Sequence, residues 1–105
     1  MTFEDLRGFP VLMTKGIAAA CEDGKTKEYI IDCLARFYSG DYGLIGAEDT
    51  EYNNADLKEG YGHILARYEP KNALESDIYI ESHFDADNLN DIDFTQTMIM
   101  YSNER

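Results

Sequence analysis

The sequence predicts an α+β protein, with a small antiparallel sheet of three to four strands and two or three helices packed on one face of it. Three observations lead there: a helical stripe of apolar residues in the first half, strand-like alternation in the second half, and short connections between successive strands. A chain of 105 residues has room for one modest core, so we expect a single domain over residues 1–105.

Helices are predicted mainly in the first half of the chain. From Thr26, apolar residues recur at steps of one, three, one and three, which places them along one side of an α-helix. These residues are Tyr29, Ile30, Cys33, Leu34 and Phe37. A shorter helix is predicted over residues 17–21. Another is predicted over residues 47–58, with acids in its first turn and Gly60 beyond its end as a cap.

Strands are predicted over residues 63–68, 77–84 and 94–101, and a first strand or extended arm over residues 9–14. That first element belongs at a sheet edge, because Pro10 has no N–H for a ladder bond. In the middle strand, residues suited to the core alternate with more polar ones, which indicates that one face of the strand is buried in the core and the other faces solvent. The residues of that face are Ile78, Ile80, Ser82 and Phe84. The last strand alternates so that either of its faces could be buried. Short connections favour antiparallel neighbours.

The net charge is −12, from 21 acids and 9 bases, and it is unevenly distributed. Residues 39–60, the first acidic block, hold six acids and one base; residues 75–105, the second, hold eight acids and one base. Residues 1–38 are almost balanced, with six acids and five bases. Such a negative field repels nucleic acid and attracts basic proteins that bind nucleic acid. The sequence therefore predicts a basic protein partner and no direct DNA binding, although such charge can also serve solubility alone.

Carboxylates and tyrosines interleave in both acidic blocks, and a surface that combines them can imitate a nucleic-acid strand. The acids would stand for phosphates, and the rings would stand for bases or add contact area. The predicted partner-binding residues are Asp41, Tyr42, Glu48, Asp49, Glu51, Asp56 and Glu59 in the first block and Asp85, Asp87, Asp91 and Asp93 in the second. The alternative is a plainly solvated acidic face.

No pattern in the chain indicates an enzyme, a metal or a cofactor. Residues 85–93 resemble a calcium loop only in part, because Leu89 takes the fifth position, Asn90 replaces the glycine and Gln96 replaces the bidentate glutamate. His63 and His83 lie in no metal or catalytic motif, and the chain has no nucleophile elbow, P-loop or GxGxxG. We expect a non-enzymatic protein without cofactors.

The sequence also predicts a cytoplasmic protein. No apolar run approaches the roughly 20 residues that cross a bilayer, and the first residues lack the features of a signal peptide. Cys21 and Cys33 fall in predicted helices, without a nearby second cysteine or a ligand-like histidine. We interpret both as buried thiols, with a disulfide or metal role as the alternative.

Several short motifs resemble a family of small proteins carried by plasmids, phages and bacteria, which often bear a restriction-system label without an established activity. The matching pieces are FYSGDYG at 37–43, ED at 48–49, NN at 53–54, LKEG at 57–60, ILARY at 64–68 and IYIE at 78–81, spread over about two thirds of the chain. Tyr42 stands where tryptophan is usual, and the family generally lacks the acidic loop of residues 85–93. The resemblance implies a non-enzymatic interaction module, with an apolar patch around Met98 and Met100 as a dimer contact.

In size and acidity the chain is also similar to phage-encoded anti-CRISPR proteins, several of which are small acidic mimics of DNA. This likeness is one of type and not of motif. It implies an inhibitor, acting in the bacterial cytoplasm, that binds a CRISPR effector nuclease with its guide RNA, first of all the type II enzyme, and occupies a groove meant for DNA. The effector, the step that is blocked and the oligomeric state stay open.

Overall fold

The computed structural model describes residues 1–72 and 74–105, in which four α-helices, four strands and two short 3-10 turns occur. The helices are α1 (Phe3–Arg7), α2 (Lys15–Ala20), α3 (Gly24–Tyr38) and α4 (Ala47–Glu59). The strands are β1 (Val11–Met13), β2 (Tyr61–Tyr68), β3 (Ile78–Asp85) and β4 (Gln96–Tyr101). The 3-10 turns are Ala86–Asn88 and Ser102–Glu104.

The sheet has the order β1-β4-β3-β2 and is mixed. β2 with β3 and β3 with β4 form antiparallel pairs, as their short connections predict. β1 pairs with β4 in parallel, with Leu12 opposite Met98. The α+β class is confirmed, while the sheet is not wholly antiparallel, because β1 and β4 lie near opposite ends of the chain and no short connection sets their direction.

One face of the sheet packs against the first three helices to form the core. β3 buries Ile78, Ile80 and Phe84 on that face, together with Ser82, as its alternation predicts. β4 buries Thr97 and Ile99 on the same face, which answers the question that its sequence left open. Stripe residues of α3 complete the core from the helical layer, and Ile30, Cys33 and Phe37 are the buried ones.

Local hydrogen bonds explain where the helices begin and end. α3 starts two residues before the predicted Thr26, because the Asp23 carboxylate accepts from the Thr26 backbone N–H at 3.1 Å and from its hydroxyl at 2.6 Å. These bonds, the hydroxyl one first, lower the pKa of Asp23. α4 ends at Gly60 in the left-handed region, with φ 76°, which confirms the predicted cap. α1, which the sequence pattern missed, is only five residues long and too short to show a periodicity.

α4 does not pack on the helical face of the sheet. It lies along β2, at the edge, where the Asn53 side chain bonds the backbone of Leu65 and the Asp56 carboxylate accepts from the N–H of His63. The second face of the sheet therefore stays partly open, with Tyr79 and Met98 half-buried on it. This placement puts the first acidic block beside the open face of the sheet.

The cysteine prediction holds for Cys33, which is buried in α3, and only in part for Cys21, which is half-buried at the end of α2. Both are free thiols, and burial raises the pKa of Cys33. None of the helices in residues 1–72 and 74–105 is long and apolar enough to cross a membrane.

Candidate protein-interaction surface

α4 presents most of its length to solvent and carries five acids along it. Asn53 is its one buried residue, so only a narrow inner side of the helix packs against the rest of the protein. Glu48 and Asp49 lie in the first turn, where the helix dipole favours negative charge. Glu48, Asp49, Glu51 and Glu59 are exposed and Asp56 is half-buried. The local signals that form the helix therefore also produce a charged outer side.

The number of exposed acids on α4 can be compared with the number of phosphates on a nucleic-acid strand of the same length. A helix of 13 residues is about 20 Å long at 1.5 Å per residue. A single DNA strand carries a phosphate every 3.4 Å, or roughly six over that length, and a duplex carries twice as many. The four exposed carboxylates of α4 thus reach about two thirds of the charge density of a single strand and about a third of that of a duplex.

The acids of α4 form no ion pair in the described part of the chain. Four ion pairs occur among the residues that the structure describes: Arg7 with Glu4, Arg36 with Asp41, Arg67 with Asp77 and Arg105 with Glu81. None of them includes an acid of α4. The field of the helix is therefore available to a partner, over a screening distance of about 10 Å at 0.1 M salt.

The second acidic block meets the first at the C-terminal end of α4. The backbone N–H of Ala86 donates to the carbonyl of Gly60 at 2.8 Å, and Tyr61 is the cross-strand partner of Asp85. Near this junction the second block adds three exposed aspartates. We call the exposed acids of α4 and of the loop at residues 85–93 the acidic surface. Its residues are Glu48, Asp49, Glu51, Glu59, Asp87, Asp91 and Asp93.

Two carboxylates of the second block also shape its loop. Asp85 accepts from the N–H of Asp87 at 2.9 Å and from the Asn88 amide at 2.8 Å, and Asp91 accepts from the N–H of Asp93 at 2.9 Å. Such turns are the usual local role of aspartate. In the described ranges, no three or more His, Cys, Asp or Glu side chains are grouped so that they could hold a metal ion.

Tyr42 has to be removed from the predicted partner-binding residues, because it belongs to the core. It is 6% exposed, and its ring lies 6.4 Å from that of Phe3 and 6.5 Å from that of Phe37. Burial raises the pKa of its phenol, whose hydroxyl lies 3.3 Å from Asn54 Oδ1 and donates to it. An aromatic residue beside an acid could not be distinguished from a surface anchor by its sequence position alone.

Asp41 has a structural role as well. Its Oδ2 lies 2.7 Å from Arg36 Nε, and its Oδ1 accepts from the Gly43 N–H at 3.0 Å. The bond from Arg36, and after it the one from Gly43, holds the pKa of Asp41 below its usual range. Because Arg36 compensates its charge, Asp41 adds little to the field that a partner would meet.

The predicted residues omitted two exposed tyrosines next to the acids. Tyr52 on α4 is 62% exposed and its hydroxyl lies 3.4 Å from Glu48 Oε1; Tyr61, just after α4, is 69% exposed. The spacing of Glu48 and Tyr52 by four residues on a helix predicted to be solvated was the signal that could have identified Tyr52. Exposed rings beside carboxylates suit a partner rich in arginine.

A cleft of about 550 Å³ separates α4 from the open face of the sheet. Asp49, Tyr52 and Asp56 line it on the α4 side, while Arg67 and Arg105 line it from the sheet and the C-terminal end, each over the ring of Tyr79. The α4 side offers carboxylates and an aromatic ring, a combination that binds guanidinium groups. His63 also lines this cleft, and it is the cross-strand partner of His83.

No protein-family model, curated protein or solved structure matches this chain. Both resemblances inferred from the sequence therefore stay predictions, and the function has to be argued from the acidic surface.

Proposed function

We propose that this chain is a non-enzymatic inhibitor of a CRISPR effector nuclease, with the guide-loaded type II enzyme as the first candidate. It binds the basic groove of the effector through the acidic surface and blocks nucleic-acid binding by imitating a DNA strand. The observation that carries the proposal is the set of four exposed carboxylates on α4, which form no ion pair in the described part of the chain and have about two thirds of the phosphate density of one strand.

The chemistry of the target supports this choice of partner. Such effectors hold their heteroduplex in a positively charged channel and read a short DNA motif with arginines. A groove of that kind can accept carboxylates in place of phosphates. Tyr52 and Tyr61 add exposed rings on which a partner's guanidinium groups can stack. We expect the complex to form quickly and to weaken steeply as salt is added.

The first experiment is a plasmid-cleavage assay with purified type II effector and guide RNA, in which the protein is added before or after the target DNA. Competition for the DNA groove predicts inhibition only when the protein is added first. Equal inhibition in both orders would mean that DNA entry is not the step that is blocked. No inhibition in either order would exclude this effector as the target.

Charge reversal tests whether the acidic surface is responsible. The triple variant Glu48→Lys, Glu51→Lys and Glu59→Lys should raise the inhibitor concentration needed for half inhibition by roughly 100-fold or more, since attraction becomes repulsion at three positions. The matched control is Glu28→Lys, Asp32→Lys and Glu69→Lys, which changes the net charge equally at exposed residues outside both acidic blocks. Equal loss in both variants would indicate that only net charge matters, and unchanged inhibition by the first would overturn the proposal.

The alternative is a non-enzymatic interaction module of the restriction-labelled type. Its predicted dimer contact is weakened by the structure, because Met100 is only 7% exposed and Met98 is half-buried. A complex that is insensitive to salt, with a partner that has no nucleic-acid function, would favour this alternative over the inhibitor.

A further inference from the structure

β1 forms one edge of the sheet, and half of its backbone points away from the sheet. The carbonyl of Pro10 accepts from the Thr97 N–H at 2.8 Å, and the Thr14 N–H donates to Ile99 at 3.1 Å. Because alternate residues face the neighbour in a parallel ladder, Val11 and Met13 direct their N–H and C=O groups outward. No group in the described part of the chain bonds these four backbone groups.

An apolar groove of about 360 Å³ runs along this edge, between β1 and α3. Val11 is 37% exposed, Met13 46% and Ile31 53%, and Leu34 and Ile99 also line the groove. A single exposed apolar residue is ordinary, but a continuous apolar groove beside an unpaired strand edge is a template for another strand. An added strand would bury its inward side chains on α3.

We infer that β1 is the interface of a symmetric homodimer. In antiparallel pairing about a twofold axis at Leu12, Val11 lies opposite Met13 of the partner subunit, and Met13 lies opposite Val11 of the partner subunit. Each of these pairs exchanges two backbone hydrogen bonds. The dimer therefore pairs all four outward N–H and C=O groups of β1 in each copy. The two sheets join into one of eight strands, and the exposed Ile31 side chains approach each other beneath it.

Charge favours a second copy as the occupant of this edge. Residues 1–38 hold six acids and five bases, and the groove itself is lined by one acid, Glu22, and one base, Lys27. α4, which carries four of the seven acids of the acidic surface, lies beyond the opposite edge, at β2, three strand spacings away, while Asp87, Asp91 and Asp93 lie in the connection between β3 and β4. At about 4.8 Å per spacing, β2 is roughly 14 Å from β1 within one copy, which already exceeds the screening length of about 10 Å at 0.1 M salt. The acids of α4 therefore add little repulsion between two copies that meet at β1.

The dimer should be weak, because the paired strand has only three residues. Ten residues line the groove, against roughly 20–30 residues per partner in standard stable interfaces. We expect a dissociation constant on the order of 10–100 μM, so the dimer forms at high protein concentration and dissociates on dilution.

Sedimentation velocity of the full chain between about 1 and 500 μM tests this inference. The wild type should shift from monomer to dimer over that range. Met13→Lys should remain a monomer throughout, whereas Ile92→Lys, which adds the same charge at a loop residue that is also 46% exposed, should dimerise like the wild type. A wild type that stays monomeric, or a Met13→Lys variant that still dimerises, would overturn the inference.

Val11→Pro provides a second test in case Met13→Lys perturbs the fold. It removes an outward N–H without affecting any bond to β4, so circular dichroism should not change while dimerisation is lost. Added salt separates this interface from the proposed inhibitory one. Dimerisation of like-charged copies should strengthen or stay constant between 50 and 500 mM NaCl, whereas binding through the acidic surface should weaken. A dimer that weakens with salt would place the contact at the acidic surface and contradict the β1 interface.

Discussion

At the β2 edge of the sheet, other parts of the chain bond the outward backbone groups, whereas at the β1 edge the corresponding groups face solvent. On β2, the Leu65 N–H donates to Asn53 Oδ1 at 3.1 Å, and the Leu65 carbonyl accepts from Asn53 Nδ2 at 2.9 Å. The His63 N–H donates to Asp56 Oδ2 at 3.1 Å. The Arg67 N–H and carbonyl pair with the backbone of Tyr42 and Leu44, at 3.1 and 2.7 Å.

The difference separates the two surfaces that we propose for interaction. The helix that closes the β2 edge with its inner side carries the uncompensated acids on its outer side, so closing the edge also fixes the acidic surface to the sheet. At β1 no helix covers the edge, and the nearby sequence is almost neutral. An open edge invites strand pairing. In this protein it is the edge opposite to the one that carries α4 and its acids.

The largest effect on this arrangement is expected from Gly43→Ala. Gly43 has φ 70° and forms a bridge with Arg67, and a Cβ there would lie 2.1 Å from the Arg67 carbonyl oxygen. The segment would have to leave the β2 edge, so we expect a loss of about 4 kcal/mol from strain and broken hydrogen bonds. Urea unfolding measures this loss of stability. Gly46→Ala, with open space around the added methyl group but at the N-cap of α4, should cost no more than about 1 kcal/mol; equal effects would contradict the closed edge.

Asn53→Ala should have the next largest effect. Asn53 is 4% exposed, and its amide is the side-chain partner of both backbone groups of Leu65. Leaving a buried N–H and C=O unsatisfied costs about 1–3 kcal/mol each, so we expect a loss of about 3 kcal/mol. Amide hydrogen exchange at Leu65 should become faster as well. The neighbouring Asn54→Ala, at an exposed position, should cost less than about 1 kcal/mol, and a similar loss in both variants would refute the edge-capping role.

The apolar periodicity of the sequence was enough to predict α3 and β3, because the same periodicity determines which of their residues pack in the core. α3 has an apolar stripe and β3 has strict alternation, and both bury the residues that these patterns select. Cap signals located the C-terminal end of α4 to within one residue. The exposure of most acids also followed from their number, since no core of this size could contain them.

What the sequence could not predict depends on contacts between distant residues. Pairing of β1 with β4 joins the two ends of the chain, and no local pattern encodes it. A polar residue within a helix is ordinarily solvated, so nothing marked Asn53 as the residue that caps an edge strand. Asp41 and Asp85 counted as charges in the sequence, but ion pairing and turn formation use them locally.

The smallest effects on stability should come from substitution of two carboxylates, each of which hydrogen-bonds a chain segment beside one edge of the sheet. Near β2, Asp41 bonds Arg36 and the Gly43 N–H; near β1, Glu104 accepts from the Thr14 hydroxyl at 2.7 Å and from the Tyr101 N–H at 2.9 Å. These bonds hold the pKa of Asp41 and of Glu104 below their usual values, mainly through Arg36 and Thr14 respectively. Both groups are largely exposed, so Asp41→Asn and Glu104→Gln should each cost about 1 kcal/mol or less at pH 7.

The pH dependence distinguishes this electrostatic contribution from a change in packing. A carboxyl whose pKa is lower in the folded state stabilises the fold above its unfolded pKa and loses that contribution as pH falls through the folded value. The deficit of each variant should therefore be constant from pH 7 to about 5 and shrink below about pH 4. As pH falls, protonation of the other acids relieves the self-repulsion of the −12 net charge. This relief stabilises wild type and variants alike, so it cancels in the difference between their free energies of unfolding. Urea unfolding from pH 7 to 3 measures this deficit, and a deficit that does not shrink at all between pH 5 and 3 would mean that the carboxylates act by shape and not by charge.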